Sequence, residues 1–181
     1  MKPLNLIQKF YPEQSKTYSF LVPHSVAVTK KALEVAKRVE HLHPDFQFIE
    51  EAAMLHDIGI FMTDAAKIGC LGKKPYICHG YLGRELLEKE GFPKHALVCE
   101  RHVGTGLSIA DIDQQKLSLP RRDMQPQSLE EKIICFADKF FSKNSENLTV
   151  EKSIEQIQKS NLKFGEHKVK IFEQWLKEFG Y

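Results

Sequence analysis

Apolar residues recur along this chain at three- and four-residue steps between polar and charged positions, the spacing of helices that bury one face. After His24, the residues Val28, Ala32, Val35 and Val39 keep to one side. Phe48 to Leu55 is more strongly apolar, with Phe48, Ala52 and Leu55 sharing a face, and Gly59 is expected to act as its helix stop. Three more helical runs follow: His79 to Lys89, Lys94 to Val103, and Leu129 to Phe141. In the last, Ile133, Ile134, Phe136, Ala137 and Phe140 are expected to face the core. Residues 143–181 read as two further helices after a polar break from Asn144 to Thr149. Their stripe of Val169, Phe172, Trp175, Leu176 and Phe179 is expected to pack on the bundle, with a dimer contact as the alternative. No convincing stretch alternates with the period of a strand, so the only places left for a short hairpin are the long connections Ala65 to Cys78 and Gly104 to Ser128. The pattern predicts an all-α bundle: residues 1–142 with an N-terminal helix, and 143–181 as a helical extension on the same domain.

Composition narrows the function. A chain of 181 residues with 42% hydrophobic positions suffices for one domain with a small extension. Its 26 basic and 24 acidic residues are interspersed and leave a net charge of +2, so a nucleic-acid polymer is not an expected partner. No apolar run is long enough for a membrane span, and Lys2, Lys9, Glu13 and Lys16 interrupt any signal-peptide core; a cytoplasmic location is expected. Cys70, Cys78, Cys99 and Cys135 show no C-x-x-C spacing, which argues against a zinc knuckle or redox motif. Cys99 and Cys135 are expected as buried thiols, and Cys78 as a packing residue.

The chemistry lies in His24, the dyad His56-Asp57, His79, His102 and Asp138. Each sits in or beside an apolar helix, where an ionised carboxylate is costly unless paired or metal-bound. Neighbouring helical residues point about 100° apart, so the dyad can approach one ion only at the edge of the buried face or where the helix opens. Alone, the dyad could equally be a helix C-terminus with a dipole-stabilised histidine and a solvated aspartate. Four imidazoles and two carboxylates together can ligate two divalent transition-metal ions: Mn, Fe, Co, Ni or Zn, with Mg a weaker occupant. His95, two helical turns before His102, could line the same pocket, although a satisfied or exposed ring is the expected reading; His41, His43 and His167 read as surface groups.

In this order the six residues resemble the HD superfamily of metal-dependent phosphohydrolases, over about residues 20–142. The resemblance implies a helical bundle in which His24, His56, Asp57 and Asp138 hold one ion and His79 and His102 the other, with Asp57 bridging. It implies hydrolysis of a phosphoric ester or anhydride by a hydroxide shared between the ions and oriented by Asp57, without a side-chain nucleophile. The expected substrate is a small phosphorylated molecule, nucleotides first, handled by a monomer or homodimer. Ile60 after Gly59, and Leu82 after Gly80-Tyr81, depart from the HD-GYP cyclic-dinucleotide phosphodiesterases. The His-Gly-x-x-Gly segment from His79 and the Arg-His-x-Gly segment from Arg101 look closer to stand-alone HDIG phosphohydrolases. The same ligand order is shared by di-iron oxygenases of the superfamily, and a catalytically silent nucleotide sensor is a further alternative. Candidate phosphate binders are Lys73 and Arg122 in the two long connections, and Arg101 and Lys139 beside ligands.

Overall fold

The computed structural model describes residues 2–142 and 147–181. Asn144 to Glu146, within the expected polar break, lie outside the described residues. Helices α1 (Pro3–Phe10), α2 (Lys16–Arg38), α3 (Phe46–Leu55), α4 (His79–Lys89), α5 (Pro93–Arg101), α6 (Ile109–Gln114), α7 (Leu129–Lys139), α8 (Ile154–Leu162) and α9 (Glu166–Glu178) make an all-α architecture. Among the described residues the only sheet is a two-stranded antiparallel hairpin, β1 (Asp64–Ala65) with β2 (Cys70–Leu71), in the first long connection. No helix there is long and apolar enough to cross a membrane.

Three of the helices that carry the chemistry start at capping side chains. Ser15, Asp45 and Ser128 accept the backbone N–H groups of Tyr18, Phe48 and Glu131, the N-cap arrangement that satisfies a donor with no partner inside the helix. These caps set the starts of α2, α3 and α7, and hence the faces on which His24, the dyad and Asp138 emerge. Two apolar clusters follow. One joins α2, α3 and α7 to Phe172, Trp175 and Phe179 of the C-terminal stripe, with the Phe172 ring stacked on Phe136 at 5.3 Å. The other joins α1 to the first part of α2, the end of α3, α4 and α5. His24 falls between Leu21 of the second cluster and Val28 of the first, so the polar residues collect where the two meet.

Tyr11 anchors α1 at that junction. Its buried hydroxyl donates to the carbonyl of Ile58, next to the dyad, and accepts from the Phe61 amide at 3.3 Å. Tyr11→Phe strands a buried carbonyl and should cost about 1–3 kcal/mol in chemical denaturation; an unchanged midpoint would refute the anchor.

Two expectations are corrected. Gly59 does not stop α3, which ends at Leu55, four residues earlier; its φ of −82° is ordinary right-handed backbone. Glycine is required because α4 lies against it: a Cβ there would sit 2.5 Å from the Gly83 amide nitrogen and closer still to the His79 carbonyl. The long connection from Gly104 to Ser128, in which no helix is expected from the sequence, is also partly helical. It contains α6, opened by a reciprocal capping box between Ser108 and Asp111, and its own apolar cluster of Leu107, Ile112 and Met124.

Asp111 also clips this connection to α9. Lys168, buried, donates to its carboxylate and to the Gly106 carbonyl at 2.7 Å each, and His167 lies 2.9 Å from the other oxygen. Burial opposes the charge, but Lys168 and Ser108 hold Asp111 well below the usual carboxylate range. A depressed carboxylate stabilises the fold above its unfolded pKa and loses that contribution as the pH falls through the folded value. Stability should therefore decline below pH ~4, and Lys168→Met should make that decline shallower; parallel pH profiles for the two proteins would contradict it.

Candidate metal centre

Three of the four histidines sit at helix boundaries and turn back on the chain in the same way. His56 follows the last turn of α3, His102 follows that of α5, and His79 opens α4 after a tight turn at Tyr76–Cys78. Each ring places Nδ1 on the carbonyl three residues before it: Ala53 at 2.6 Å, Tyr76 at 2.7 Å and Cys99 at 2.7 Å. A carbonyl only accepts, so Nδ1 carries the proton and Nε2 presents a lone pair to the interior.

The lone pairs converge on Asp57, and its two oxygens divide them. Oδ2 lies 3.5 Å from His24 Nε2 and 3.4 Å from His56 Nε2. Oδ1 lies 3.2 Å from both His79 Nε2 and His102 Nε2, which are themselves 3.2 Å apart. Asp138 joins the first group, its Oδ1 3.1 Å from His24 Nε2 and 3.6 Å from His56 Nε2. All six residues are buried. Two sets of donor atoms thus share one carboxylate: His24, His56 and Asp57, and Asp57, His79 and His102, with the atoms of each set within 4.8 Å of one another.

Electron-rich atoms packed this closely need positive charge between them. The His79 and His102 nitrogens cannot hydrogen-bond each other while both protons sit on Nδ1, and His56 Nε2 is buried with no hydrogen-bond partner. Burial opposes charge on His56, yet Asp57 and Asp138 more than offset it, so without a cation the ring is pushed up to about 9. Burial pulls His24 the other way, below its ordinary value, against the pull of Asp138. A divalent cation would meet the same demand without protonating a ligand, and the donor set of imidazole and carboxylate suits a transition metal.

The candidate phosphate binders are arranged differently. Lys139 reaches the centre, its Nζ 3.2 Å from Asp138 Oδ2. Arg101 instead donates to both oxygens of Glu131, at 2.9 and 3.0 Å. Arg122 pairs with Glu100, a buried carboxylate that also takes Arg84. Lys73 is exposed on the first connection. His95 lies outside the cluster, 3.2 Å from Glu51 and edge-on to Phe48. Glu100 had no sequence signal: beside Arg101 at the end of α5 it reads as a solvated helix surface.

Residues 21–142 match the family model described as the HD domain. An uncharacterized protein of Methanocaldococcus jannaschii is 34% identical over 121 residues, 65% of this chain and 64% of the relative. Two proteins named tRNA (cytidine(56)-2'-O)-methyltransferase also match: that of Thermoplasma volcanium is 26% identical over 79% of this chain and 38% of its own length, and that of Picrophilus torridus 32% identical over 67% and 31%. The chain thus spans less than two thirds of the length of each of these relatives. No solved structure gives a significant match.

Proposed function

The chain belongs to the HD domain family, and from that premise we propose that it is a metal-dependent phosphohydrolase acting on a small phosphorylated substrate, nucleotides being the first class to test. The observation that carries this reading is the division of Asp57 between two sets of imidazole nitrogens, the arrangement of a carboxylate shared by two ions. In this reading His24, His56, Asp57 and Asp138 hold one ion and His79 and His102 the other. A pair of divalent ions, from Mn, Fe, Co, Ni, Zn or more weakly Mg, would supply Lewis acidity and an activated water for in-line attack at phosphorus.

The protein's own groups prepare that step. The carbonyls of Ala53, Tyr76 and Cys99 fix three rings with their lone pairs inward, so ligand geometry is set before anything binds. Burial of all six residues keeps bulk water from screening their charges. Lys139, beside Asp138, is placed to meet a negative phosphoryl oxygen. The cysteines offer no competing nucleophile, because burial pushes the Cys99 thiol well above its ordinary value, Cys135 up to about 12, and Cys78 upward as well. The name shared by two relatives supports nucleotides at the head of the panel, since it describes chemistry on an RNA nucleotide.

The test is phosphate release from nucleoside mono-, di- and triphosphates, dinucleoside polyphosphates and sugar phosphates, with the protein loaded in turn with each metal. Release that disappears on chelation and returns on reloading is the expected result. Silence across the panel, with oxygen consumption by the iron-loaded protein, would transfer the site to oxygenase chemistry.

A further inference from the structure

We infer that Glu100 is a positioning residue for the ion held by His79 and His102, locking the two helices that carry these ligands into one register through Arg84 and Arg122. The inference rests on the two-ion reading of the centre and not on the chemistry proposed for it.

The two ligands stand on different helices. His79 opens α4 and His102 follows the last turn of α5, with their Nε2 atoms 3.2 Å apart. Glycines let these helices meet closely: a Cβ at Gly80 would lie 2.8 Å from the Cys99 carbonyl oxygen, and one at Gly83 would lie 3.2 Å from the Cys99 Cβ. That carbonyl is the one that receives the His102 Nδ1 proton, so the helix contact runs into the ligand pair itself. Apolar packing against a glycine face sets how near two helices come but carries little direction. Sliding or turning of α4 on α5 would change the distance between His79 and His102, and the glycine contact alone does little to prevent it.

Glu100 supplies the direction. It is 1% exposed on α5, and each of its oxygens takes a different arginine. Oε2 accepts from Arg84 Nη1 at 2.5 Å, one turn beyond Gly80 on α4, and Oε1 accepts from Arg122 Nε at 2.8 Å and from Arg122 Nη2. Glu88 braces Arg84 in turn, accepting from its Nε at 2.8 Å. Arg122 belongs to the connection that follows His102, so three segments meet on one carboxylate. Stability alone is a weak reason for such a cluster, because desolvation offsets much of the attraction and apolar side chains of similar volume often stabilise as well or better. What the forked guanidinium adds is a narrow choice of geometry. His24, His56 and Asp138 stand on or beside α2, α3 and α7, which carry none of the three members of the cluster. The effect should therefore fall on one ion of the two.

Stepwise titration of cobalt(II) into the stripped full chain, followed by equilibrium dialysis and elemental analysis, tests the inference beside thermal unfolding. Replacing the whole cluster, Glu100→Leu with Arg84→Met and Arg122→Met, should leave Tm close to that of the wild type. It should nevertheless weaken the second ion about tenfold, the low end of the loss when contacts that orient metal ligands are removed. Arg122→Gln alone, at a position whose side chain is 42% exposed, should weaken the same ion, and Arg122→Lys should recover only part of the affinity. In a His79→Ala background, which keeps only the other ion, Arg122→Gln should change nothing. Phe172→Leu, which loosens the C-terminal stripe instead, should lower Tm and still hold both ions. Second-ion affinity equal in wild type and Arg122→Gln overturns the inference, whatever the triple variant does. Equal weakening of both ions, or the same loss in Phe172→Leu, also overturns it by reducing the cluster to general stability. The selective loss in a wild type that holds two ions yet releases no phosphate upholds Glu100 and removes only the hydrolase reading.

Discussion

Asp57→Ala should lower phosphate release by on the order of 10³-fold or more, the scale of losing a preorganised electrostatic group at a reacting centre, and should leave the protein holding at most one ion. The size of the effect follows from where the carboxylate stands. Its Oδ2 faces His24 and His56 while its Oδ1 faces His79 and His102, so a single substitution removes the only atoms common to both donor sets. Four buried imidazoles would remain with Asp138 as the one carboxylate among them, and His56 would lose the neighbour that does most to raise its pKa. Asp57→Asn separates charge from shape: the amide keeps the volume, yet an NH2 donor replaces one oxygen, so the side chain cannot serve both sides. It should behave like the alanine variant in metal content and turnover. Elemental analysis alongside a phosphate assay reads both quantities, and two ions per chain with undiminished turnover in either variant would refute the role of Asp57.

Gly59→Ala should do comparable damage through packing alone. A methyl group at this position meets the Gly83 nitrogen at 2.5 Å and the His79 carbonyl closer still. Both are backbone atoms of α4, so no side chain can swing aside to make room. Ordinary overpacking costs about 1–3 kcal/mol, and here the cost should reach or exceed the top of that range because a whole helix must shift. His79 opens that helix with its ring set by the Tyr76 carbonyl, so a displacement of a few tenths of an ångström moves Nε2 away from Asp57 and His102. The expected result is a clear fall in Tm together with loss of metal from the His79 and His102 side. A variant with wild-type Tm and full metal content would show that α4 does not press on Gly59.

These two sites mark what a single sequence could and could not reveal. The helices were legible because each is amphipathic and most of those bearing the centre begin at a local cap. His24, His56, Asp57, His79, His102 and Asp138 were legible because a buried charge stands out against an apolar run. Gly59 was misread because its requirement is tertiary: nothing local says that another helix passes within contact of its Cα. The Ser108 and Asp111 capping box was present as a pattern, yet α6 is too short to show helical periodicity. Glu100 was invisible, since an acid next to an arginine at a helix end looks like helix surface until Arg84 and Arg122 fold over it.

The most direct measurement is phosphate release per chain as a function of metal bound per chain, from a stripped protein reloaded stepwise. If the six residues form a two-ion hydrolytic centre, release should be absent in the stripped protein, rise with loading and level off at two ions per chain. Turnover that persists in the stripped protein, or no release at two ions per chain with any substrate of the panel, would contradict the account.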